Sequence, residues 1–148
     1  MDNRLIKFTK WLLDIMFYVG AVLTVMIPWL FRIFGRYMET FRKYYVAQCL
    51  VYMISGVLCL KIVYELRKMF RTILDGDAFV EANARSLKLM SKCSFFISAL
   101  SVVRLPLSPT PATVVILIVF AIAGLFSIVL CQVFEKAVQY KLENDLTI

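Results

Sequence analysis

Four apolar runs leave this chain few ways to fold. Residues 11–31, 45–64, 89–107 and 113–134 are each close to the ~20 residues that an α-helix needs to cross a bilayer. In lipid a backbone must satisfy its own peptide groups, so each run is expected to be a helix. Composition agrees: 61% of the 148 residues are hydrophobic, 18% are charged, and mean hydropathy is +0.80. A soluble domain of this length needs far more polar surface. The expected fold class is an all-α membrane protein, a single domain of four transmembrane helices. Trp11 and Trp29 bracket the first run, ~27 Å apart at ~1.5 Å per residue, as two interfacial aromatic belts would be. No short apolar core followed by a small-residue cleavage site precedes them, so the first run is expected to be retained as a span.

The formal net charge of +7 could point to nucleic acid, but the basic residues lie between the apolar runs. They act there as topology signals and contacts to anionic lipid, and no direct nucleic-acid contact is expected. With the N-terminus in the cytoplasm, 12 of the 17 Lys and Arg residues fall on the inner side, which predicts cytoplasmic N- and C-termini. The outer side then holds Arg32, Arg36, Arg42, Lys43 and Arg104. Its segment "FRIFGRYMETFRKYY" alternates aromatic and basic residues. An interfacial helix along the headgroups is expected, with contact to an extracellular anionic ligand as the functional alternative.

The longest polar interruption, "ILDGDAFVEANARSLKLM", sits between the second and third runs. Before it, Leu66, Met69, Phe70, Ile73 and Leu74 repeat at helical spacing. Gly76 suits the position that ends a helix, and Asp77 suits an N-cap for a helix beginning at Ala78. Phe79, Ala82, Asn83, Ser86, Leu87 and Met90 continue as a second stripe. The second and third helices are therefore expected to extend over about 65–88 as a cytoplasmic hairpin of two helices, each roughly 30 residues and ~45 Å long. Asp75-Gly76-Asp77 is not a calcium loop, because Phe79 and Val80 stand where a third oxygen ligand and a glycine are required.

Enzymatic constellations are missing from the sequence. It has no His, no phosphate-cradling Gly-rich loop and no Gly-x-Ser-x-Gly elbow. Cys49, Cys59, Cys93 and Cys131 are scattered through the runs without metal-site spacing and suit apolar packing. Neither an enzyme, a metal site nor a cofactor is expected.

"GDAFVEANARSLKLM" and the terminal "AVQYKLENDLTI" resemble motifs of the bacterial membrane family DUF2975, a domain of unknown function. Gly76, Phe79, Asn83 and Leu87 fit a Gly-x-Pro-Phe…Asn…Leu signature, with Ala78 in place of the family's frequent Pro. Glu143-Asn144-Asp145-Leu146-Thr147-Ile148 fits the usual ending. The resemblance implies four spans with a cytoplasmic middle loop and no established activity. It also implies a Gram-positive setting, beside a small helix-turn-helix regulator.

Asp14 is the one carboxylate within a predicted span, one turn inside its inner boundary. Four residues from Lys10, it is expected to be paired or interfacial, with a proton- or cation-coupling site as the sharper alternative. Ser91, Ser94, Ser98 and Ser101 recur at 3-4-3 spacing, which puts them on one helix face. Gly124, Ser127 and Cys131 make a matching face on the fourth run. A close-packed helix seam is expected, the alternative being a polar conduit.

The leading function is a non-enzymatic regulatory membrane protein that passes a membrane or external signal to a cytoplasmic partner such as a helix-turn-helix regulator. Phe70, Ile73, Phe79, Asn83, Leu87, Leu146 and Ile148 are the candidate partner-binding residues. A homo-oligomer is compatible with this. The alternatives are a small four-span transporter or immunity factor, for which Asp14 would be the key residue, and a scaffold subunit of a membrane complex.

Overall fold

The computed structural model describes residues 3–107 and 109–146. Among them are five helices: α1 (Asn3–Gly35), α2 (Glu39–Lys43), α3 (Tyr45–Leu74), α4 (Glu81–Arg104) and α5 (Pro111–Leu146). All except the five-residue α2 are long and apolar enough to cross a membrane, the pattern of a multi-pass membrane protein. At ~1.5 Å per residue, α5 with its 36 residues is ~54 Å long, well beyond the ~30 Å hydrocarbon core.

The long helices form a chain of neighbours. α1 packs on α3, α3 on α4 and α4 on α5, while α1 does not approach α4 or α5, nor α3 approach α5, among the described residues. α4 is thus enclosed from two sides. Half of its most apolar stretch is buried, against 17% for α5 and 6% for α1. Yet α4 is the least apolar of the four and α5 the most. Polar residues turn inward and aliphatic ones outward, which is favourable only where the surroundings are themselves apolar. Near the α3–α4 turn the core is apolar: Met69, Ala84, Leu87, Met90 and Cys131 cluster there, with Ile62, Leu66, Leu130 and Phe134 packed around them.

Small residues set how closely the helices approach. A Cβ on Gly56 of α3 would lie 2.8 Å from Thr24 Oγ1 of α1, and one on Gly124 of α5 would lie 2.8 Å from the Phe95 ring of α4. Thr24 spends its hydroxyl on the carbonyl of Gly20, 2.7 Å away in its own helix, so it meets α3 without an unpaired donor. Pro28 lies inside α1, and its carbonyl accepts a 2.8 Å hydrogen bond from the Tyr45 hydroxyl at the start of α3.

Several boundaries differ from the expectations. α1 continues past residue 31 to Gly35, and the expected interfacial helix shrinks to α2 because the 36–38 turn intervenes. α3 has the anticipated 30 residues, but α4 has 24 and begins at Glu81 rather than Ala78. Asp77 does not cap it. Its carboxylate instead accepts the Phe79 N–H at 3.0 Å, and Val80 is extended (φ −120°, ψ 152°) at the N-cap position. Gly76 does end α3, with φ +109°, a left-handed conformation that costs a glycine least. α5 runs through Glu143-Asn144-Asp145 to Leu146.

Candidate functional site

Near the polar elbow, α3 and α4 are joined by a side-chain hydrogen-bond network. Its centre is Glu65, 2% exposed. Ser86 of α4 donates its hydroxyl to Glu65 Oε2 at 2.7 Å, while Lys61 and Lys68 of its own helix lie 3.2 and 3.4 Å from the carboxylate. A buried carboxylate is tolerable only with such partners. Because both lysines sit one helical turn from Glu65, α3 supplies the countercharges and α4 only a hydroxyl.

Beside this network is an open cleft of about 490 Å³ between α3 and α4. Lys68, Arg71 and Arg85 bring cations to it, and Thr72, Asn83 and Ser86 bring neutral polar groups. Asn83 is 2% exposed and donates its amide to the Ala78 carbonyl at 2.7 Å. That bond holds the extended 77–80 segment against the first turn of α4, which accounts for the late helix start.

The third element of the site is the end of α5. Phe79 meets Phe134 edge-on, with ring centroids 5.3 Å apart, and Lys141 pairs with Asp77. One apolar and one ionic contact therefore tie the elbow to α5. Between the start of α4 and the end of α5 lies a groove of about 260 Å³ lined by Glu81, Ala84, Glu135, Val138, Gln139 and Leu142. Leu142 is itself exposed, as are Tyr140 and Leu146 of the same helix.

The family model for DUF2975, a protein of unknown function, matches residues 7–148. The chain belongs to the DUF2975 family. No curated protein and no solved structure matches it. In this DUF2975 protein the signature residues Gly76, Phe79, Asn83 and Leu87 do four different things. Gly76 turns the chain, Phe79 packs on α5, Asn83 braces the extended segment, and Leu87 fills the apolar cluster.

Of the candidate partner-binding residues, Asn83 and Leu87 are thus turned inward, and Phe70 and Ile73 are half-buried. Phe79 is 44% exposed and Leu146 is 86% exposed, while Ile148 lies outside the described residues. The serine face Ser91, Ser94, Ser98 and Ser101 is buried, as are Gly124, Ser127 and Cys131. Ser91 donates to the Gly124 carbonyl and Ser98 to the Leu117 carbonyl, both at 3.0 Å, so two serines bond across to α5. Ser101 bonds back to Ile97 in its own helix at 3.0 Å.

Asp14 has the partner Lys10, 3.5 Å away, and a second one that the sequence does not announce. Arg67 of α3 donates its Nε–H to Asp14 at 2.6 Å, with its guanidinium over the Phe17 and Tyr18 rings. Arg67 thus faces α1, while Met69 of the same helix packs with Ala84 and Leu87 of α4. With Asp14 and Arg67 53 positions apart in sequence, only knowledge that α1 packs on α3 could have paired them.

Proposed function

We propose that this protein is a non-enzymatic regulatory membrane protein, with the elbow and both termini cytoplasmic. In this reading the spans respond to a membrane or external condition, and the extended ends of α3, α4 and α5 pass it to a cytoplasmic protein. A helix-turn-helix transcription regulator is the partner that the family resemblance favours. The observation that carries the proposal is the double tie of α5 to the elbow, through Phe79–Phe134 and Asp77–Lys141. A shift between α4 and α5 within the membrane would be delivered to this one surface, where Leu142 and Leu146 remain exposed. The 12-to-5 distribution of basic residues supports the cytoplasmic side. The transporter reading ranks lower, because Asp14 is already committed to Arg67 and Lys10.

Two measurements test this. In a background without the four native cysteines, Asp75→Cys is expected to react only with reagent on the cytoplasmic side, and Tyr37→Cys only from outside. The reverse pattern removes the proposal. Leu142→Ala combined with Leu146→Ala is then expected to abolish stoichiometric co-purification of a cytoplasmic protein from native membranes, with insertion unchanged. Phe79→Ala is expected to weaken it and to cost about 1–2 kcal/mol of stability, since Phe79 is only half-buried. Retention of every wild-type partner by all these variants would make the surface purely structural.

A further inference from the structure

The end of the bundle opposite the elbow concentrates positive charge, with Glu39 of α2 the one acid in the 31–45 segment and not part of the pocket lining. α1 ends at Gly35, and the 36–38 turn folds α2 back toward it before α3 begins. This reversal gathers Arg32, Arg36 and Arg42 around a pocket of about 350 Å³, walled otherwise by Phe31, Gly35 and Tyr45. No carboxylate lines it, and none of the three guanidinium groups has an acidic partner among the described residues.

A fourth arginine lies behind the pocket wall. The Phe31 ring meets Tyr52 edge-on at 4.9 Å between centroids, and the Arg104 guanidinium sits 4.3 Å from the Tyr52 ring centre. Arg104 is 4% exposed, and its Nη2 donates to Thr113 Oγ1 at 2.6 Å. Among the described residues its Nε has no hydrogen-bond partner, nor does either amide atom of Gln48, which is fully buried one helical turn before Tyr52. A buried cation with no carboxylate keeps the potential positive beneath the pocket, where the apolar surroundings screen it poorly.

Three exposed guanidinium groups over a fourth, buried one repel each other unless an anion joins them. Guanidinium forks match the oxygens of phosphate, forming paired charge-assisted hydrogen bonds. The 350 Å³ volume lies within the ordinary range for a small-ligand site. We propose that Arg32, Arg36 and Arg42 form a binding site for a phosphate-bearing group, either the headgroup of an anionic phospholipid or a free phosphate. Arg104 does not touch the ligand but raises the local potential. The site is independent of the elbow and of any partner there.

The test uses the full chain in nanodiscs. Trp29 lies one turn before Arg32 on α1, so its fluorescence in a Trp11→Phe background reports on the pocket. One arm titrates inorganic phosphate into discs of phosphatidylcholine alone, and the other raises the phosphatidylglycerol share stepwise. Saturation in the first arm identifies a free phosphate and saturation only in the second identifies a headgroup; saturation in neither overturns the proposal. Arg32→Gln/Arg36→Gln/Arg42→Gln is expected to weaken the response at least ~tenfold. Lys7→Gln/Lys92→Gln/Lys136→Gln removes the same charge elsewhere and should leave it intact; an equal loss would reduce the effect to bulk electrostatics and overturn the site. Arg32→Lys/Arg36→Lys/Arg42→Lys keeps the charge and the fold, and should still weaken binding several-fold through loss of the forks. Wild-type binding by that variant also overturns the site.

Discussion

α4 and α5 lie side by side and divide polarity between them in the reverse of a water-soluble pair. The least apolar helix is the most enclosed, and the most apolar one presents Val115, Ile118, Val119, Ile122 and Val129 outward. In water those exposed residues would be a liability; in lipid they lose nothing, and it is polar groups that must find protein partners. Ser91, Ser98 and Ser101 of α4 meet that demand by donating to carbonyls, two of them on α5. Close approach of the backbones, permitted at Gly124, is what brings those carbonyls within reach.

The largest expected effect strikes that approach. Gly124→Leu would drive a side chain into the Phe95 ring and separate Ser91 from its acceptor, at a cost of about 3 kcal/mol. Unfolding in mixed micelles measures it, and a loss below about 0.5 kcal/mol would show that the seam tolerates spreading. Next comes Glu65→Ala, expected to cost about 2 kcal/mol by leaving the Ser86 hydroxyl buried without its acceptor. Lys61 and Lys68 are about half exposed and can turn to solvent, which limits the loss. A double-mutant cycle with Ser86→Ala should return a coupling of about 1 kcal/mol, and strict additivity would deny that this carboxylate links α3 to α4.

Asp14→Asn is expected to be milder, about 1 kcal/mol, since Asp14 and Arg67 are both partly exposed and the amide still accepts a hydrogen bond. No flux should disappear with it. A proton-driven transport activity present in the wild type and abolished by this substitution would restore the transporter reading. The smallest effect belongs to the outward face of α5. Val119→Ala should change stability by no more than about 0.5 kcal/mol, because lipid takes the place of the lost methyl groups. A clear loss there would mean that a second protein surface, not lipid, covers this face.

Legibility in the sequence followed the range of the interaction. The serine periodicity 91-94-98-101 could be recognised because helical spacing alone puts those residues on one face. The Gly76 turn could be recognised because the conformational demand is local to one residue. α4 starts three residues later than expected, although the Phe79–Asp77 and Asn83–Ala78 hydrogen bonds of the turn before it lie within 77–83. Asp77 has two local uses, capping a helix or accepting the Phe79 N–H, and sequence does not rank them. What favours the second is distant: Phe134 and Lys141 of α5 hold Phe79 and Asp77 outside a helix.

Sequence alone was sufficient for the four apolar helices, their approximate placement and the polar turn between the second and third, because hydrophobic length and periodicity act along one chain segment. Tertiary structure decided which helices touch, and with that every ionic partner more than one turn away. Arg67 reaches Asp14 because α1 chooses α3, and α5 reaches the elbow because α4 carries it there. Tertiary structure alone also gathered Arg32, Arg36 and Arg42 into one pocket over Arg104. Apolar surface is non-directional and does not select its neighbour, whereas close approach at Gly56 and Gly124 and the pairing of buried polar groups do. Those choices depend on three-dimensional shape complementarity, which no single helix contains.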